Sequence, residues 1–277
     1  MAIPTRILGD TGISVTILGL GGEGILRTYG HEKEATRLIN MAMDLGVTYF
    51  ESARAYSGSE SYYGRALKDR RKDLFLASKS HARDKAGALT HLRETLHRMR
   101  TDHLDLWQIH DMRTEDDVKE VFGSDGALEA FADARKKGLV RFIGVTGHHD
   151  PSIVKKCIQE FDFDTVLIPV NPAEPAYKNF IDEVIPIARR KGMGIVGMKT
   201  YCRGLAQKIP GHETMEPFFR FALSHPISTA VIGCDSLKQL EENVGFAREF
   251  EAMNNTEMQE IVDAVSPYAR QLMYYKG

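Results

Sequence analysis

An eightfold alternation limits how this chain can fold more than any other feature. Short apolar runs, β-branched or aromatic and bounded by turn residues, occur at 17–20, 47–50, 74–77, 104–107, 140–145, 165–168, 194–198 and 229–232. Such runs read as buried parallel strands. Amphipathic stretches separate them. Residues 32–45 carry Ala35, Leu38, Ile39, Ala42 and Leu45 at helical spacing, with Gly46 as a stop. Leu89, Leu92, Leu96 and Met99 form a second stripe, and the stretches 125–137 and 180–191 end in Gly138 and Gly192. Strand then helix, eight times over, predicts an α/β (β/α)8 TIM barrel. Residues 5–16 read as an N-terminal β-hairpin turning at Gly9-Asp10-Thr11-Gly12, and 256–269 as an extra C-terminal helix. No Pro/Ser/Gly-rich linker interrupts the pattern, so residues 1–277 read as one barrel domain.

Composition excludes several function classes. Lys and Arg number 36 against 38 Asp and Glu, so the basic excess of a nucleic-acid binder is missing. The basic runs at 68–72 and 189–191 fall where helices should end and read as solvated charge complementing the helix dipole. No run is long enough for a membrane span, and residues 1–10 lack the pattern of a signal peptide. Cys157, Cys202 and Cys234 are too scattered for a disulfide framework or a CxxC metal site. The expectation is a cytoplasmic protein acting on a small molecule, with no nucleic-acid or membrane partner. Oligomeric state is not readable.

In a barrel of this type the site forms at the C-terminal ends of the strands. Those positions supply Glu51 and Tyr56 after the second run, Lys79 after the third and His110 after the fourth. Carbonyl reduction needs a hydride at carbon and a proton at oxygen. A tyrosine phenol can donate the proton, although its ordinary pKa is about 10. Lys79 would favour the phenolate of Tyr56 and lower that value, Glu51 would hold Lys79, and His110 would orient the carbonyl. Each residue alone has an ordinary packing role, but the ordered set of four points to a reductive site. Gly19-Leu20-Gly21-Gly22-Glu23-Gly24 also matches GxGxxG. Its helix begins only near Glu32 and the required acid is missing, so the match to a Rossmann turn is weak, and glycines at the mouth of a first barrel strand explain it equally well.

The chain resembles the aldo-keto reductases of the bacterial type. The resemblance rests on Arg6-Ile7-Leu8-Gly9-Asp10-Thr11-Gly12, Leu18-Gly19-Leu20-Gly21, Gly46-Val47-Thr48-Tyr49-Phe50-Glu51-Ser52-Ala53 with Tyr56, Ser59-Glu60, Gly64-Arg65-Ala66-Leu67, and Asp105-Leu106-Trp107-Gln108-Ile109-His110. It implies reduction of an aldehyde or ketone by NAD(P)H, with Tyr56, Lys79, His110 and Glu51 as the catalytic set. It also implies a cofactor track. Gly22, Thr146, Asn171 and Met198 fall at the nicotinamide, Lys199, Thr200, Arg203 and Gly204 at the phosphates, Gly233, Cys234, Asp235 and Gln239 in the loop after the last strand, and Glu242-Asn243 at the adenine. NADP(H) is expected first from the resemblance. NAD(H) is the alternative, because Lys238 is the one basic residue in that last loop and Asp235 suits a ribose diol.

Departures from the family pattern are equally specific. Glu51 stands where the family has aspartate. Thr146-Gly147 replaces Ser-Asn, and Asn171 is a nearby substitute for a missing Gln. These changes motivate an alternative reading, a nicotinamide-nucleotide-binding regulatory module with weak or no turnover. Arg54 reads as solvated at the rim. Tyr29, Trp107, Met112 and Tyr201 join Tyr56 as pocket candidates, with packing as their ordinary reading. His148-His149-Asp150, with His81 and His110, raises a divalent-metal hydrolase. No HxH lies on the first strand, and Asp150-Pro151-Ser152 reads as a helix start, so no metal is expected. The cysteines for an iron–sulfur cluster are missing.

Overall fold

The computed structural model describes residues 1–211 and 213–276. An antiparallel hairpin comes first, β1 (Thr5–Ile7) and β2 (Ser14–Thr16). Eight parallel strands then close a barrel: β3 (Leu18–Gly24), β4 (Tyr49–Glu51), β5 (Phe75–Ser80), β6 (Leu104–Ile109), β7 (Val140–Thr146), β8 (Thr165–Pro169), β9 (Gly194–Met198) and β10 (Thr229–Cys234). Sequential strands are neighbours, and β10 closes against β3. This is the expected (β/α)8 barrel with its hairpin.

Side-chain alternation along the strands decides what faces the lumen. Tyr49, Phe75, Ala77, Leu106, Leu167, Val196 and Val231 pack there, and Leu8 and Val15 of the hairpin join them. The hairpin therefore closes the N-terminal end of the barrel. Close approach makes this docking possible at Gly9, where a Cβ would lie 2.2 Å from the Gly194 nitrogen. The same period of two carries inward-facing positions up to the other end: Glu51 follows Tyr49, Lys79 follows Ala77, and His110 continues the series from Leu106. Between the strands and the helical ring lies the larger apolar layer. Trp107, expected as a pocket candidate, belongs to it and stacks on Phe131 at 3.6 Å between centroids. Met112 is also fully buried there, while Tyr29 is exposed.

The helical connections start and stop where their residues dictate. Helix Glu32–Asp44 ends before Gly46, which has a φ of 94°. Helix Pro151–Glu160 starts with Asp150 accepting from the Ser152 N–H at 2.9 Å. Two expectations need correction. The tail is not one helix over 256–269: Asn255–Val265 gives way to a 3-10 turn, Ser266–Tyr268, and a short helix, Ala269–Leu272. Pro267 lacks the N–H that would continue the first helix. The basic run at 68–72 is not wholly solvated, because Arg71 reaches inward to pair with buried Asp105 at 2.9 Å. Among the described residues, no helix is long and apolar enough to cross a membrane.

A buried ion pair ties the C-terminal segment to the barrel mouth. Lys276 Nζ lies 2.7 Å from Glu174 Oε2, and it also donates to the Tyr177 and Lys178 carbonyls. Tyr275 donates to Glu174 Oε1 at 3.0 Å. Burial raises the Glu174 carboxyl and lowers the Lys276 ammonium even with each other as partners. Desolvation thus outweighs attraction, and the pair fixes the position of the segment rather than adding stability. We predict that Lys276→Met alone lowers unfolding free energy by about 3–5 kcal/mol, by leaving Glu174 buried and unpaired. The double variant Glu174→Leu/Lys276→Met should recover most of that loss in denaturant titration.

Candidate active site

At the C-terminal end of the barrel, Lys79 Nζ lies 2.6 Å from Glu51 Oε1 and donates to the Ser52 carbonyl at 2.9 Å. Register explains the meeting: Glu51 pairs with Ala77, so the inward side chain two residues further along β5 reaches the end of β4. Both groups are buried. The extra methylene of Glu51 does not break the pair.

Tyr56 comes from the loop after β4 and lies against this pair, with Lys79 Nζ 5.0 Å from its ring centre. The Arg27 guanidinium covers the ring at 5.1 Å, and His110 meets it edge-on at 6.0 Å between centroids. Burial holds the Tyr56 phenol well above its ordinary pKa, with Glu23 and Glu51 adding to the rise and Arg27 and Arg203 opposing it. This corrects the expectation that Lys79 lowers the phenol. Desolvation is the largest influence and outweighs the neighbouring cations. His110 goes the other way: burial, reinforced by the Lys79 charge, holds it well below its ordinary value. Its Nδ1 is buried without a hydrogen-bond partner. Arg83 fixes the backbone here by donating to the His110 and Asp111 carbonyls, each at 2.9 Å.

These groups line a cavity of about 260 Å³, together with Gly22, Thr146, His148 and Met198. A second cavity of about 920 Å³ adjoins it, lined by Thr200, Tyr201, Gly204, Asp235, Gln239, Glu242 and Asn243. Glu23, Arg27, Lys199, Arg203, Val231 and Gly233 line both. The backbone approaches closely at two of the glycines: a Cβ on Gly22 would meet Ser59 Oγ at 2.4 Å, and one on Gly233 the Glu23 carbonyl carbon at 2.7 Å. Lys199, Cys202 and Arg203 have φ values of 55°, 49° and 58°, so the loop after β9 is sharply folded around the mouth. Burial lowers the Lys199 ammonium to about 8. Thr200 Oγ1 is buried without a partner.

Two residues of the expected cofactor track line neither cavity. Asn171 spends its amide on the Lys199 carbonyl, the Tyr275 hydroxyl and the Ala173 N–H. Cys234 is buried and accepts from Asn243 Nδ2 at 3.4 Å. Thr146 reaches the cavity, but its Oγ1 accepts from the Asp111 N–H at 2.8 Å. Gln239 accepts from the Asp235 N–H at 2.7 Å. Lys238 is exposed and faces Glu242 at 3.7 Å. Arg54 is not solvated at the rim: it pairs with Glu94 and lies 3.7 Å from Glu60, leaving Glu51 to Lys79. Asp150 caps its helix and pairs with Lys178 at 3.0 Å.

The sequence reading missed Glu23 and Arg27, which lie near Tyr56 at the end of β3 and in the turn that follows it. Their spacing of four was the available signal, and they pair at 2.6 Å. Tyr274 and Tyr275 of the C-terminal segment also reach this mouth. Arg203 lies 5.6 Å from the Tyr274 ring and Lys199 lies 5.0 Å from the Tyr275 ring.

Comparison with known proteins gives the family and the fold. The model of the Aldo/keto reductase family matches residues 17–217. L-galactose dehydrogenase of Arabidopsis thaliana is 24% identical, covering 99% of this chain and 98% of its own length. The uncharacterized oxidoreductase YqkF of Bacillus subtilis is also 24% identical, over 76% of this chain and 69% of its own. Among solved structures, the holo form of an aldo-keto reductase from Bacillus halodurans superposes with a TM-score of 0.79. It covers 95% of this chain and 96% of its own, at 24% identity. With the family match spanning most of the barrel, the chain belongs to the aldo/keto reductase family of oxidoreductases.

Proposed function

We propose that the protein reduces an aldehyde or ketone to an alcohol with NAD(P)H. The observation that carries this reading is the placement of Tyr56, His110 and the Lys79–Glu51 pair on one cavity wall, opening into a longer cleft. The cleft fits a dinucleotide. Glycines allow close backbone approach, Lys199 and Arg203 supply positive charge for phosphates, and Thr200 offers an unpartnered hydroxyl. When bound, the nicotinamide supplies the hydride.

The chain's own residues handle the oxygen and the proton. Neutral His110 donates a hydrogen bond to the carbonyl oxygen and orients it. Tyr56, held protonated by burial, gives its proton as negative charge develops on that oxygen. Lys79 then stabilises the tyrosinate. Glu51 keeps Lys79 in place, and the buried walls exclude water. The reaction needs no metal in these roles.

At the adenosine end, Asp235, Gln239 and Glu242 face the cleft without a basic grip. This supports use of NADH beside the NADPH that the family resemblance favours; the Schizosaccharomyces pombe relative named an aldo-keto reductase [NADP(+)] is 30% identical, over 53% of this chain and 46% of its own. The commitment of the Asn171 amide to the protein favours one second reading, a nucleotide-binding module with weak turnover, because the carboxamide is then loosely held.

Tyr56→Phe tests the assignment. It should lower kcat for carbonyl reduction about 10²–10⁴-fold with little change in nucleotide affinity. Unchanged turnover would remove Tyr56 as the donor. The pH profile follows from the two opposite shifts. Tyr56 stays protonated and His110 neutral throughout the neutral range, so kcat should be level from about pH 6 to 8 and fall as the phenol ionises on the alkaline side. Nucleotide affinity should depend on Lys199. With its ammonium lowered to about 8, charge is lost as pH rises through that value. Titration by fluorescence should show weaker binding at pH 9 than at pH 7, and Lys199→Met should flatten that difference.

A further inference from the structure

The loops after β6 and β7 bring together three groups that hydride transfer does not use. One ligand atom each from Asp111, His148 and His149 lies within 4.8 Å of the others. His148 Nε2 is 3.1 Å from Asp111 Oδ1, and His149 Nε2 is 3.7 Å from Asp111 Oδ2. The two imidazoles lie side by side at 4.2 Å between centroids. His149 Nε2 is buried without a hydrogen-bond partner, and Asp111 Oδ1 faces only the His148 imidazole. The Asp111 backbone is held firmly. Asp111 has a φ of 59°, its N–H donates to Thr146 Oγ1 at 2.8 Å, and its carbonyl accepts from Arg83 at 2.9 Å.

A tetrahedral zinc ion with ligands at about 2.0–2.2 Å needs donors roughly 3.3 Å apart. Each imidazole lies near that spacing from its own carboxylate oxygen, His148 at 3.1 Å from Oδ1 and His149 at 3.7 Å from Oδ2. Two imidazoles and one carboxylate also form a donor set suited to borderline divalent cations, with a position left open. The sequence alternative of a metal centre placed Asp150 with these histidines, but Asp150 is occupied as a helix cap and the neighbouring carboxylate is Asp111.

We propose that Asp111, His148 and His149 form a site for a divalent transition-metal ion on the rim of the catalytic cavity. The site is separate from the proton-donating groups and does not depend on the reductase reading. One cation opposes it: Arg113 donates from Nε to Asp111 Oδ2 at 2.6 Å and pairs through Nη2 at 2.5 Å. Its side chain is 56% exposed, so it can leave without burying a charge. Removing it should therefore strengthen metal binding, which an unrelated surface site would not show.

The test is calorimetric titration of metal-free protein with Zn²⁺. The three cysteines are buried, which limits competition from thiolates. We expect one equivalent to bind. His149→Ala and Asp111→Asn should each weaken the affinity at least about tenfold. Arg113→Ala should tighten it severalfold, and this gain cannot arise from misfolding. Co²⁺ in place of Zn²⁺ should give visible absorption that His149→Ala abolishes. Absence of stoichiometric Zn²⁺ binding, or binding indifferent to both His149→Ala and Asp111→Asn, would overturn the proposal.

Discussion

The contact between Lys79 and Glu51 constrains the catalytic end of this barrel. Two buried, oppositely charged side chains 2.6 Å apart depend on each other, because loss of either leaves its partner uncompensated. Their meeting requires the register that sets Glu51 opposite Ala77, and that register depends on the closed barrel. Once the pair is in place, Tyr56 lies over the ammonium and His110 meets the ring edge. Burial then sets the protonation states, with the phenol kept neutral by an upward shift and the imidazole by a downward one. A neutral phenol and a neutral imidazole therefore lie side by side.

The rim is organised differently. There the backbone is forced into left-handed conformations at Asp111, Lys199, Cys202 and Arg203. Side-chain hydrogen bonds from Arg83 and Asn171 hold some of these turns. The Glu174–Lys276 pair brings Tyr274 and Tyr275 to the Arg203 and Lys199 side chains. The mouth of the cavity is thus shaped by the loops after β6, β7 and β9 together with the C-terminal segment.

The barrel and the meeting of the four central residues were legible because both follow from short periods. Alternation of two carries Glu51 and Lys79 inward, and strand–helix repetition makes their ends neighbours. Side-chain partners across long separations were not legible. Nothing local tells that Asn171 will spend its amide on the Lys199 carbonyl and Tyr275, or that Arg54 will turn to Glu60 and Glu94. Pro267 is the local signal for the break in the C-terminal helix. The Tyr56 shift was misjudged in sign because a charge can be counted in a sequence, whereas desolvation needs the packed walls.

The central claim is that this cavity transfers hydride directly to a carbonyl carbon while Tyr56 supplies the proton. The most direct measurement uses nicotinamide nucleotide deuterated at C4 with a panel of aldehydes, ketones and dicarbonyls, and mass spectrometry of the products. The account predicts an alcohol carrying one deuterium on the carbinol carbon. Folded protein that binds the nucleotide yet yields no labelled alcohol from any carbonyl would contradict it.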